Sequence, residues 1–159
     1  MSSLHIFIDS STKGTRTSKY GKSAASWFAI WDEFNGLPCR AGIIYKDHQG
    51  PNKIFYEGII QALNTCYDVV RENCEVTIFG DCDPVIKQLN DEWNVNKMKE
   101  LYDQVQEIEE NYRGTINYIY MNEDNPLYKV VDECSKQFRH NITLKFDAII
   151  QKKTEESRG

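Results

Sequence analysis

Five acidic residues in this sequence sit where a carboxylate could do chemistry. Asp9 follows the apolar run LHIFI, and Asp81 follows VTIFG, with Asp83 two residues further on and directly before Pro84. Glu57 lies inside IFYEGIIQAL, among Phe55, Tyr56, Ile59 and Ile60, and Asp132 lies between Val131 and Cys134. A buried strand gains nothing from a charge at its end unless that charge is compensated. Carboxylates that converge repel one another unless a cation sits among them. Hard oxygen ligands without a His or Cys companion select Mg²⁺ or Mn²⁺. Each acid also has a structural reading: Asp9 as the start of an Asx turn, Glu57 as a favourable charge on a helix dipole, Asp132 as one more exposed helix charge. Singly, those readings are the commoner ones; as a set, Asp9, Glu57, Asp81 and Asp132 suggest a metal site. Asp83 stands apart. Pro84 suits a first helical position, which makes Asp83 a candidate N-cap.

The elements that must carry these acids follow from periodicity. Leu4 to Ile8 reads as a strand closing on Asp9. The next stretch, STKGTRTSKYGKS, carries Lys13, Arg16, Lys19 and Lys22 with no acid among them and reads as a solvated loop. Ala25 to Trp31 is a second strand, a turn at Asn35-Gly36 leads to a third from Cys39 to Tyr45, and the three form an antiparallel meander. Phe55, Ile59, Leu63, Cys66 and Val70 recur at helical steps, with Glu57 in the first turn. After the strand VTIF come a short helix VIKQLN and a long helix from roughly Asn96, with Met98, Leu101, Val105 and Ile108 on one face. Thr115 to Tyr120 is a fifth strand and Tyr128 to Arg139 a last helix.

This order implies an α/β fold: one mixed five-stranded sheet, three antiparallel strands followed by parallel βα units, with helices on its faces. The domain spans 1–139, and 140–159 is a partly flexible C-terminal extension. A crossover can set the fourth strand parallel to the first, bringing Asp9 and Asp81 side by side at carboxyl ends, where sites form in such sheets.

Composition narrows the classes. At 159 residues, 40% hydrophobic and 27% charged, the chain fits one globular domain. A net charge of −5 weighs against coating nucleic acid by bulk charge, though not against a locally basic groove. Five scattered cysteines without CxxC spacing argue for reduced thiols rather than zinc or disulfides. No apolar run approaches the ~20 residues that span a bilayer, and MSSLHIFIDSS has no basic n-region or cleavage site. An intracellular protein, cytoplasmic or nuclear, with no membrane association is the expectation.

FIDSS at 7–11, YEGIIQAL at 56–63, FGDCDPVIKQLN at 79–90 and NPLYKVVDECS at 125–135 resemble, in order, the four acidic motifs of the ribonuclease H family. The resemblance runs from about residue 4 to 139, is most specific around Asp81, and is to the type 1-like, archaeal-like or cellular branch without a basic handle. It implies a ribonuclease H-like fold and a metal-dependent endonuclease that hydrolyses the RNA strand of RNA–DNA hybrids by a two-metal-ion mechanism. Asp9, Glu57, Asp81 and Asp132 would be the catalytic residues and would hold two Mg²⁺ ions, with Mn²⁺ as the alternative. Ser10, Ser11, Lys13, Arg16, Lys19, Lys22 and Asn52 would touch substrate, joined by Lys87, Lys97 and Lys99. The sequence departs from the family in Ala24-Ala25-Ser26-Trp27, where glycines are usual, in Asn122-Glu123, where a His is common, and in Pro51-Asn52, the one hint of a Thr-Asn-Asn element. Two other readings share the fold: an exonuclease or junction resolvase, and a non-catalytic binding or assembly domain. A monomer is expected, with the tail segment LKFDAII a docking point for a protein partner.

Overall fold

A computed structural model of the chain describes residues 3–13, 22–31, 38–47 and 49–121. The elements in order are β1 (Ser3–Lys13), β2 (Lys22–Trp31), β3 (Pro38–Asp47), α1 (Pro51–Cys66, followed by a 3-10 turn at Tyr67–Val69), β4 (Glu75–Gly80), α2 (Asp83–Leu89), α3 (Lys99–Asn111) and β5 (Thr115–Tyr120). They form a five-stranded sheet in the order β3-β2-β1-β4-β5. Strands β1 to β3 pair antiparallel, while β1–β4 and β4–β5 pair parallel. The mixed α/β architecture expected from the sequence is present, with β1 at its centre.

Both sheet faces are apolar around β1, as its parallel pairing requires. Leu4, Ile6, Ile8, Trp27, Val76 and Ile78 pack into the main core with the buried side of α1. Phe7, Phe28 and Met121 form a smaller cluster with Phe79, in which the Phe7 and Phe79 rings stack at 4.9 Å. Small residues let α1 lie close. A Cβ added at Gly58 would come within 2.9 Å of the Ala25 Cβ and 3.3 Å of the Ile8 Cγ2. Ala25, with Ile8 beside it, is therefore the floor on which the helix rests. Trp27, bulky by comparison, lies flat over Gly42 of β3 and donates its indole N–H to Gln61 Oε1 at 2.7 Å.

Several boundaries differ from expectation, and four of them bear on the candidate site residues. Strand β1 does not close at Asp9: the antiparallel ladder continues through Ser10↔Ala25, Ser11↔Ala24 and Thr12↔Ser23 to Lys13↔Lys22. Backbone pairing sustains a strand there where composition suggested loop. Helix α1 begins at Pro51, whose preset φ suits the first turn, so Glu57 falls in the second turn and cannot serve the helix dipole. Cys82 is the cap residue of α2 and Asp83 its first-turn acid, with no side-chain cap hydrogen bond. Asp83 instead pairs with Lys87 one turn on, at 3.0 Å. The long helix starts at Lys99 rather than near Asn96. The Asn35-Gly36 turn, the helix expected over 128–139 and the extension 140–159 lie outside the described residues. Cys66, Cys74 and Cys82 are unbridged. Among the described residues no helix is long and apolar enough to cross a membrane.

Candidate metal and nucleic-acid site

Strand register brings two of the predicted acids together. The last β1–β4 pair is Ile8↔Gly80, and the residue that follows each is an aspartate, Asp9 within β1 and Asp81 just past the end of β4. Adjacent strands run ~4.8 Å apart, so these two carboxylates leave the sheet as neighbours at its carboxyl edge. Asp9 is half-buried and Asp81 exposed. Beyond this point β4 turns away into α2, while β1 continues beside β2.

Glu57 is not brought to that pair. Its Oε1 accepts from the Lys46 ammonium of β3 at 3.0 Å, and its Oε2 is buried without a hydrogen-bond partner. The side chain is only 14% exposed, so the pair with Lys46 closes the β3 side of α1. Phe55 of α1, wholly buried, lies against Gly80 of β4. A Cβ at Gly80 would meet its Cζ at 2.1 Å. Among the described residues no group of three or more His, Cys, Asp or Glu could hold a metal ion. Two aspartates are suitable donors for a hard divalent cation, but the described residues do not fit the two-ion arrangement in which Glu57 is a ligand. Asp132 lies outside the described residues, as do Arg16 and Lys19.

The remaining substrate candidates fall in two places. Ser10 and Ser11 continue β1 beyond Asp9, and Lys13 and Lys22 pair at the end of the same ladder. Asn52 sits in the first turn of α1, across a gap from α2. Its Oδ1 accepts the Cys82 S–H at 3.2 Å. Burial, with smaller contributions from Asp81 and Asp83, pushes the Cys82 thiol up to about 11, so it keeps its proton and this link persists at neutral pH.

Sequence reasoning missed the surface next to Asn52. Gln49, Asn52, Gln88, Asn94, Asn96 and Lys97 line an open cleft of about 380 Å³ between the start of α1 and the 90–98 loop. Gln88 is fixed by the Tyr56 hydroxyl, which donates to its Oε1 at 2.7 Å. The loop is tied down at both flanks: Asn90 donates to the Tyr118 carbonyl at 3.1 Å, and the Tyr102 hydroxyl donates to Asp91 at 2.7 Å. Asp91 takes a positive φ of 59°, a conformation aspartate tolerates better than most residues. On the same loop Trp93 is 48% exposed, with the Lys87 ammonium 4.5 Å from its ring centroid. The carboxamide density of residues 88–96 was the available signal, but periodicity gives no weight to loop amides. Lys99 is engaged within its own helix by Asp103 at 3.3 Å.

No protein-family model matches the sequence, and no curated protein matches it. Solved structures do. A ribonuclease H from compost, solved in complex with an RNA/DNA hybrid, is similar with a TM-score of 0.67 and 15% identity over 76% of this chain and 86% of that one. The N-terminal ribonuclease H domain of a Mycobacterium tuberculosis protein gives 0.67 and 18% over 80% and 88%. A foamy viral protease–reverse transcriptase, in complex with double-stranded DNA, gives 0.61 and 14% over 84% and 92%.

Proposed function

We propose that this chain, whose fold is ribonuclease H-like, binds RNA–DNA hybrids across the carboxyl ends of β1 and β4 and hydrolyses the RNA strand. The observation that carries this reading is the placement of Asp9 and Asp81 on adjoining parallel strands of that fold. An Mg²⁺ or Mn²⁺ ion is the cation such a pair of carboxylates would take. The cleft around Asn52 supplies neutral donors and acceptors of the kind that read a 2′-hydroxyl, the group by which a protein tells RNA from DNA. Trp93, half-exposed beside Lys87, offers a stacking surface with a cation next to it.

Cleavage of an end-labelled hybrid in Mg²⁺ or Mn²⁺, wild type against Asp81→Asn, tests the proposal. Products from wild type and loss of at least a hundredfold in the variant are expected. Equal rates would remove Asp81 from the chemistry, and cutting of DNA junctions but not hybrids would favour a resolvase. A second reading, hybrid binding without cleavage, is favoured by one observation: Glu57 faces Lys46 rather than the aspartate pair. Hybrid retention with no products at any metal concentration would select it.

A further inference from the structure

We infer that Asp91 is a positioning residue: its bond to Tyr102 fixes the course of residues 92–98 and so sets Trp93, Asn94, Asn96 and Lys97 for a bound hybrid. The second half of this statement rests on the hybrid-binding reading given above. Helix α2 ends in two paired hydrogen bonds. The Asp91 N–H donates to the Gln88 carbonyl at 3.1 Å, and the Glu92 N–H donates to the Lys87 carbonyl at 2.8 Å. That pattern needs a left-handed residue at position 91, a place usually filled by glycine because it has no Cβ to clash. Among the described residues Asp91 is the sole non-glycine with a positive φ, at 59°. A turn alone would be served better by glycine. What glycine lacks is a carboxylate, and that of Asp91 accepts from the Tyr102 hydroxyl at 2.7 Å.

The bond joins the start of the segment to the helix that ends it. Tyr102 lies in the first turn of α3, and its N–H donates to the carbonyl of Met98, the cap residue. The Trp93 N–H donates to the Lys87 carbonyl at 3.3 Å, but no amide from 94 to 98 donates to backbone among the described residues. Glu92, Trp93, Asn94, Asn96 and Lys97 are exposed, so packing does little to hold them. Tying together the ends of such a stretch removes much of its freedom. Asn90, bonded to the Tyr118 carbonyl at 3.1 Å, fastens the end of α2 to β5 but leaves open the direction of the chain beyond. Asp91 supplies that direction. One wall of the cleft that holds Gln49, Asn52 and Gln88 is built from the segment it aims. A strained backbone kept for the bond it permits is characteristic of binding surfaces.

Nuclear magnetic relaxation of the free chain and hybrid affinity in metal-free buffer, where nothing is cut, test this together. Tyr102→Phe removes the donor; Asp91→Gly removes the acceptor and eases the backbone. In both, the order parameters of residues 93–97 should fall from the rigid range, about 0.85, to below about 0.6. Asp91→Asn keeps an acceptor and tolerates positive φ, so its segment should stay as rigid as in wild type. Tyr102→Phe should bind a hybrid roughly fivefold more weakly than wild type, and Asp91→Gly roughly fivefold more weakly than Asp91→Asn, which matches it in charge. Asp91→Gly should still melt no lower than Tyr102→Phe, and the double variant should lose no more affinity than either alone. A segment already mobile in wild type, or still rigid in Tyr102→Phe, overturns the inference. So does a loosened segment with hybrid affinity intact, since a merely structural bond would change Tm alone. If wild type binds no hybrid, the proposed function fails by itself, and loosening in the two variants still upholds the role of Asp91 in fixing the segment.

Discussion

Replacing Gly80 by alanine should unseat Phe55. An added Cβ would lie 2.1 Å from Phe55 Cζ, 2.8 Å from Cε2 and 3.3 Å from Cε1, well inside contact distance. The ring cannot swing into solvent, because Phe55 is 0% exposed and is held between α1 and the sheet. Relief must come from a displaced ring or a lifted helix. Overpacking of this kind costs about 1–3 kcal/mol, and in a chain of this size each kcal/mol lowers Tm by roughly 2–4 °C. Urea unfolding of Gly80→Ala, Phe55→Leu and the double variant measures it. Phe55→Leu alone should cost roughly 1–2 kcal/mol in lost packing. In the double variant the smaller side chain makes room for the methyl, so the total should fall short of the sum by about 1 kcal/mol or more. Strictly additive costs, or a neutral Gly80→Ala, would mean that the ring does not lie over Gly80, and the placement of α1 would have to be redrawn.

Burial raises the Glu109 carboxyl above the ordinary glutamate range, against the lowering effect of the Tyr118 hydroxyl that donates to it. A raised pKa in the folded state means that its stabilising contribution is complete below the unfolded value and is lost as pH climbs through the folded one. Glu109→Gln, which keeps an acceptor for Tyr118, should therefore gain stability relative to wild type between pH 4 and pH 7; the same Tm difference at both values would contradict this. Asp83→Ala should cost under ~0.5 kcal/mol, as loss of a partly exposed i,i+4 pair does, where loss of a capping side chain would cost ~1 kcal/mol. Chemical denaturation separates the two. Tyr112→Phe should cost about 1–2 kcal/mol, because its buried hydroxyl donates to the Leu63 carbonyl at 2.9 Å and the variant leaves that oxygen short of a partner.

The sheet was legible because each strand contains an apolar run with clear punctuation, and the parallel placement of Asp9 beside Asp81 followed from topology rules alone. Thr115–Tyr120 matches the expected fifth strand to the residue. What misled was local composition. Ser10, Ser11 and Thr12 are loop-like residues kept in β1 by the backbone of β2, a tertiary effect no window can register. Glu57 shows a different limit. Periodicity marked Phe55, Ile59 and Leu63 as one buried stripe and so already placed Glu57 off it, but a stripe gives the side of the helix and not the partner there, which is Lys46 of β3. Likewise Asp83 before Pro84 fits a cap or a first-turn acid equally well, and one residue of helix boundary decides between them.

Strand β1 takes its neighbours from opposite ends of the folding problem. Its β2 side is closed by a meander nearby in sequence, whereas its β4 side pairs Ser3 with Glu75 across the whole of β2, β3 and α1. Local hairpins form in microseconds, while distant pairings wait on chain closure. The expected order is a three-stranded sheet first, with one flank of its innermost strand open, and docking of β4 only once α1 has settled. During that interval Leu4, Ile6 and Ile8 lie on a strand with unpaired amides and carbonyls, the kind of edge to which a second chain can add. Refolding yield should therefore fall with protein concentration more steeply than native solubility does, and the docking of β4 is the step that ends the exposure.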